Sequence, residues 1–354
     1  MPAGLFKKAN SRHCQMNASL NALLKQTSRS FYLTLRVLPG AIRPQIGLAY
    51  LLARTTDTIA DTDLVPLDQR LDALTKLRER ILGTRQTPVD FSSFLQYQSN
   101  SAERVLLERC EDAIAVLREC LTTDARLIRK VLDTITSGQE LDLQRFARWG
   151  ETPSSPDNKI IALQNDAELD DYTYRVAGCV GKFWTDICIA HLFRLPELEK
   201  LGLNFGFEEL GVRFGKGLQL VNILRDLPAD LRKGRCYLPA DKLASIGLTP
   251  ADLLLPSNEP RLRPLYNSYL DLAKSHLAAG WDYTNNIPGG HMRVRLACAW
   301  PILIGVKTID RLRTGNVLDP VQRIKITRPE VRQVMTRSIM AYFWPSRWRR
   351  LFNS

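Results

Sequence analysis

Apolar residues recur three and four positions apart over long stretches, as at Leu71, Leu74, Leu77 and Ile81, and again at Leu117, Leu121, Ile128, Val131, Leu132 and Ile135. Alternating strand patterns are scarce. That period puts side chains on one stripe of a helix, and it offers a sheet no continuous face to bury. The spacing therefore predicts an all-α chain. Breaks fall at Leu38-Pro39-Gly40 and over 83–101, 150–158, 238–264 and 286–291, and none has the low complexity of a linker. One helical domain over 20–318 is expected, preceded by a basic segment, 1–19, and followed by a basic, aromatic segment, 319–354.

Charge is distributed unevenly. The 354 residues carry 49 Lys/Arg against 37 Asp/Glu, a net +12. Residues 1–56 hold eight of the bases and no acid, and residues 320–354 hold eight with Glu330 alone against them. Basic ends of this kind imply anionic partners, either a phosphate-bearing substrate or an acidic membrane surface. Nucleic acid is not expected, because the bases are spread along helices without interleaved aromatics. The apolar runs Ile46–Ala53 and Leu296–Val306 fall short of the ~18 residues of a membrane span. No secretory signal is apparent, and a cytoplasmic monomer, peripheral on the membrane at most, is expected. Seven cysteines without a C-x-x-C pair read as buried thiols in a reducing compartment, and four scattered histidines suggest no zinc site.

Two helices break the rule that polar residues face outward. Within 217–230, Gln219, Asn222, Asp226 and Asp230 fall on one stripe, while Leu218, Leu220, Val221, Ile223, Leu224 and Leu227 cover the other sides. A helix apolar on most faces is buried, so this stripe must meet something inside the protein that rewards it. Residues 49–61 repeat the device with Asp57 and Asp61 one turn apart and Arg54 a turn earlier. Two such carboxylate pairs facing one another suit Mg²⁺, a hard cation usually held by one or two carboxylates and substrate phosphates.

Ser28-Arg-Ser-Phe31, Tyr50 through Asp61, Asp171 through Gly181, and Gln219 through Asp226 with Gly234-Arg-Cys-Tyr-Leu-Pro239 resemble the squalene/phytoene synthase family in order and spacing. The resemblance spans roughly residues 20–310. It implies a single-domain helical bundle of the isoprenoid-synthase type with a central cavity, in which two prenyl diphosphates are joined head to head. Carried over, Asp57, Asp61, Asp226 and Asp230 become Mg²⁺ ligands, supported by Gln219 and Asn222, and Arg29, Arg54, Arg225 and Arg235 become diphosphate contacts. Guanidinium suits that task because its planar fork meets phosphate oxygens in pairs. Ser28 and Ser30 either flank the first of these arginines or cap a helix. Tyr172 matches the tyrosine credited with proton transfer during cyclopropane closure, or else it packs with its hydroxyl on a carbonyl. Tyr50 and Tyr174 are expected to line the cavity, and Gly178 and Gly181 to permit close packing.

The chain also departs from the family pattern. Ala60 and Ala229 stand where most members carry Glu, and Pro228 is expected to kink its helix between Asp226 and Asp230. Cys298-Ala-Trp-Pro301 and 324–331 resemble squalene synthases, whereas Ala297 and Tyr237-Leu-Pro239 read more like phytoene synthases. The resemblance favours squalene, made from two farnesyl diphosphates through presqualene diphosphate and reduced by NADPH. The alternatives are phytoene or dehydrosqualene formation without reductant, release of presqualene diphosphate, or a non-catalytic binding protein. The stretch 341–352 mixes aromatics with arginines, so it is expected either to rest on an anionic membrane or to dock on the helical body.

Overall fold

The computed structural model describes residues 14, 16–28, 31–146, 160–194, 197, 205–322 and 324–353. Helices occupy most of that chain: α1 (Ala18–Thr27), α2 (Phe31–Val37), α3 (Arg43–Ala60), α4 (Leu67–Leu82), α5 (Ser92–Leu95), α6 (Ser101–Glu108), α7 (Cys110–Glu119) and α8 (Thr122–Phe146). After them come α9 (Asp166–Thr173), continued by a π-helical turn over Tyr174–Gly178, α10 (Cys179–His191), α11 (Phe205–Arg232), α12 (Ala240–Ser245), α13 (Glu259–Asn286), α14 (Met292–Thr314), α15 (Arg328–Ala341) and α16 (Pro345–Arg350). Local chemistry sets several ends. Pro44 sits in the first turn of α3, where its missing N–H has no intrahelical partner to lose. Gly83 closes α4 at φ +89°, and Thr327 with Glu330 forms a reciprocal cap on α15.

Two apolar clusters hold the bundle. One gathers α1, α3, α4, α7, α8 and α10 around residues such as Leu48, Leu51, Leu74 and Ile128. The other gathers α11, α13 and α14 around Leu224, Tyr266, Leu277 and Ile302. The π-turn and α10 lie so close to α11 that a Cβ on Gly181 would fall 1.9 Å from the Gly211 carbonyl oxygen. This is the packing role expected of Gly181. A short parallel pairing, Ile161–Ala162 (β1) with Arg235–Cys236 (β2), follows a turn at Gly234, whose φ of +73° favours glycine. That ladder fixes Arg235 and Tyr237 beside α8 and α9.

One expectation needs correction. Cys14 and Cys120 are joined in a disulfide across 106 residues, so only Cys110, Cys179, Cys188, Cys236 and Cys298 are buried thiols. No local spacing signals a pair formed when an N-terminal segment reaches the end of α7. Pro228 does not break α11, which runs 28 residues through it. The carbonyl of Leu224, which a residue with an N–H at 228 would have served, instead accepts a hydrogen bond from the buried Tyr266 hydroxyl at 2.9 Å. The C-terminal aromatics dock in part on the helical body. Trp348 stacks on Trp281 at 5.2 Å, Phe352 lies 6.1 Å from the same ring, and Tyr342 donates to the Gly289 carbonyl. Met340, Phe343 and Trp344 stay exposed, Phe343 at 69%. Among the described residues, no helix is long and apolar enough to cross a membrane.

Candidate active site

The C-terminal third of α3 brings Asp57 and Asp61 to a polar cavity of about 360 Å³. From α11, Asp226 and Asp230 line the same space, with Asn222 and Gln219 one and two turns before Asp226 on their stripe. Gln219, Asn222, Ile135 and Val176 also line a second, apolar cavity of about 450 Å³, floored by residues such as Phe31, Tyr50, Phe183 and Ala297. A carboxylate-lined chamber thus opens beside a hydrocarbon-lined one, with two amide side chains at the join.

The carboxylates repel one another inside the protein. Burial first, and Asp61 second, push Asp57 up to about 7, against the pull of Arg54 and a hydrogen bond from the Gln139 amide. Burial and then Asp226 push Asp230 up to about 7, against Lys233 and Arg235. Burial also raises Asp61, with Lys233 opposing. Such frustrated pairs gain most from a cation. Among the described residues no three acidic, Cys or His side chains form a ready metal cage. The donors come instead as two pairs from two helices, an arrangement that leaves coordination positions for phosphate oxygens. The buried Oε1 of Gln139 beside Asp57 has no partner among the described residues, a further acceptor facing the same need. The donor set is hard and oxygen-only, and it fits Mg²⁺.

The arginines are already engaged. Arg54 donates to Glu103 at 2.5 Å and stands 3.7 Å from Asp57. Arg225 grips its neighbour Asp226 with two bonds of 2.9 and 2.6 Å. Arg235 faces the polar cavity, 3.5 Å from Asp142 and 3.8 Å from Asp63. Arg29 and Ser30 lie outside the described residues. Ser28 is not the helix cap that formed one of its two alternatives: it ends α1, its N–H bonds the Leu24 carbonyl, and its buried hydroxyl meets no partner among the described residues.

Tyr172 lines the polar cavity and is buried. Tyr50 lines the apolar one, stacked on Phe31 at 5.0 Å with its hydroxyl on the Thr27 carbonyl. Tyr174 does not join them. Its ring lies under the Lys216 ammonium at 5.8 Å, because a residue two positions after Tyr172 falls on the opposite side of the helix. Three polar residues of the cavity escaped the sequence reading, Gln139, Asp142 and Lys233, and Tyr237 stood in a matched motif without a role. Gln139 and Asp142 are buried polar residues three apart on α8, the same anomaly that marks the aspartate helices.

Comparison with known proteins places this geometry. A family model described as squalene/phytoene synthase matches residues 24–330. The presqualene diphosphate synthase of Zymomonas mobilis is 30% identical over 266 residues, 75% of this chain and 74% of the relative. The squalene synthase of Schizosaccharomyces pombe is 25% identical over 318 residues, 90% of this chain and 64% of its own length. A solved structure described as TcSQS with the ligand E5700 superposes with a TM-score of 0.70 at 20% identity, covering 90% of this chain and 85% of that one. A dehydrosqualene synthase structure follows at 0.62 and 19%, covering 92% and 95%. At such identities the structures speak for the fold alone. Taken with the helical bundle and its cavity, the match over residues 24–330 establishes that the chain belongs to the squalene/phytoene synthase family and is an enzyme of the prenyltransferase type.

Proposed function

We propose that this enzyme joins two molecules of farnesyl diphosphate head to head and closes a cyclopropane ring, giving presqualene diphosphate. One observation carries the reading: the four aspartates line a chamber that shares Gln219 and Asn222 with an apolar cavity. Diphosphates fit the first and prenyl chains the second. Relatives named presqualene diphosphate synthase, at 29% and 30% identity, support this product more than the reduced hydrocarbon. The reductive step is assigned no residues.

Asp57, Asp61, Asp226 and Asp230 would hold Mg²⁺, with Gln219 and Asn222 beside them. Mg²⁺, when bound, supplies the positive charge that makes diphosphate a good leaving group. The chain's own residues do the rest. Arg235 and Lys233 balance phosphate charge at the cavity wall. Phe31, Tyr50, Phe183 and Trp184 exclude water from the apolar chamber, which protects a carbocation from capture and lets aromatic faces stabilise it. Tyr172 stands at the wall of the polar chamber for the proton that leaves on ring closure.

Purified protein given farnesyl diphosphate and Mg²⁺, with and without NADPH, tests the reading. Presqualene diphosphate in both reactions is expected. Squalene appearing only with NADPH would establish the reductive alternative, and dehydrosqualene or phytoene the proton-loss one. Failure to release diphosphate would indicate a non-catalytic binder.

The exposed side of the C-terminal segment supports a second, smaller reading. Met340, Phe343 and Trp344 stand out beside a cleft of about 440 Å³ bordered by Arg337, Arg347 and Arg350. This mixture suits the headgroup layer of an anionic membrane, at about 1 kcal/mol for each base near the surface. Flotation with anionic liposomes tests it: binding should fall with salt and be lost in a Phe343→Ser/Trp344→Ser variant that melts normally.

A further inference from the structure

Tyr172 is poorly placed to take up a proton on its own. Burial first, and the Asp142 carboxylate second, hold its pKa well above the usual phenol range. The hydroxyl therefore stays protonated and needs an outlet for its own proton. One lies directly behind it. The Tyr237 ring stacks on Tyr172 with centroids 4.7 Å apart and planes at 24°, and the two hydroxyls share a hydrogen bond. Tyr237 in turn donates its hydroxyl proton to Oδ2 of Asp142 at 3.0 Å. Asp142 is 9% exposed, and its Oδ1 meets no donor among the described residues, so the carboxylate keeps accepting capacity at the cavity wall.

The three groups come from three elements: Asp142 from α8, Tyr172 from α9 and Tyr237 from the residue after β2. Arg235 at 3.5 Å holds the carboxylate from one side. Arg145 pulls in the same direction, Asp61 opposes it, and Asp230 acts on Tyr172. A buried carboxylate so arranged must earn its cost of desolvation, and packing alone gives no reason for it.

We propose that Asp142, acting through Tyr237, is the positioning residue and final proton acceptor behind Tyr172. This rests on the function proposed above. When the condensed cation closes its cyclopropane ring, the electron pair of the departing C–H bond becomes the third ring bond. The proton goes to the Tyr172 oxygen, the Tyr172 proton to the Tyr237 oxygen, and the Tyr237 proton to Oδ2 of Asp142. The substrate cation and the carboxylate are both neutralised. No oxidant or reductant is involved, and both phenols end as they began.

The test compares Asp142→Asn, Tyr237→Phe, their double variant and Tyr172→Phe, at saturating farnesyl diphosphate and Mg²⁺. Asn can still accept from Tyr237 but is not a base, and Phe keeps the stacked ring without the link. Each relay variant should lose about a hundredfold in formation of condensed product, with KM nearly unchanged. The double variant should be no worse than either single one, because the groups act in series. Diphosphate release should continue, uncoupled from condensation. With Mg²⁺ saturating, so that the cavity aspartates stay ionised, the acid limb of kcat in the wild type, near the value of about 6 to which burial lifts Asp142, should disappear in Asp142→Asn. Relay variants within about threefold of wild type beside an inactive Tyr172→Phe would overturn the relay and leave Tyr172 in its role. An active Tyr172→Phe would overturn both. Should Asp142→Asn melt early, Tyr237→Phe decides by the same thresholds.

Discussion

Asp57 and Asp61 on α3 share their spacing with Asp226 and Asp230 on α11, yet the two pairs are held in different ways. The first pair is backed by an amide: Gln139 bonds Asp57, while Arg54 is drawn off towards Glu103. The second is backed by a cation, since Arg225 clamps Asp226 through both its oxygens. Their helices differ too. α3 carries no proline near its aspartates, whereas α11 runs through Pro228 with the Tyr266 hydroxyl on the carbonyl left free. Equal spacing in sequence therefore hides unequal preparation. The α3 pair is met by cations at longer range, Arg54, Lys233 and Arg235, whereas one member of the α11 pair is clamped directly.

The largest consequence concerns Asp57. Asp57→Asn should lower kcat/KM more than a hundredfold, a barrier increase of several kcal/mol, measured as diphosphate release under Mg²⁺. Near-normal turnover would remove α3 from the catalytic wall. On the other wall, Tyr266→Phe strands the Leu224 carbonyl and should cost about 1–3 kcal/mol of stability by denaturant unfolding. An unchanged midpoint would show that α11 tolerates Pro228 without that bond. Gln139→Leu should cost about tenfold in turnover by removing the one neutral partner of Asp57, while leaving the α11 pair untouched.

The smallest effect depends on pH. Asp57 and Asp230 sit near 7 in the folded chain and at about 4 when unfolded, so the folded state prefers them protonated. Their contribution to stability is fully present below about pH 4 and is lost as pH rises towards 7. Mg²⁺ with inorganic diphosphate should therefore raise the melting temperature by a few degrees at pH 8 and by less at pH 5. Equal shifts at both values would argue that the cation binds elsewhere.

Much of this site is legible in the sequence because each aspartate pair carries its own local signature, carboxylates one turn apart in an otherwise apolar helix. The helical period likewise announces the bundle. What stays hidden depends on contacts between distant segments. Gln139 and Asp142 share α8 with many solvent-facing charges, which mask two buried polar residues among them. Tyr266 meets Leu224 across 42 residues and Cys14 meets Cys120 across 106, and no spacing rule reaches so far. Tyr174 misleads for a different reason: it shares a motif with Tyr172, yet two positions along a helix it falls on the opposite side.

The central claim is that both aspartate walls close on the same diphosphates while the prenyl chains occupy the apolar cavity. A crystal structure with Mg²⁺ and farnesyl thiodiphosphate, which resists ionisation, tests it most directly. Diphosphate oxygens and Mg²⁺ are expected between Asp57/Asp61 and Asp226/Asp230, with the hydrocarbon passing Gln219 and Asn222 towards Phe183 and Ala297. A thiodiphosphate bound away from either aspartate pair, or a prenyl chain outside that cavity, would contradict it.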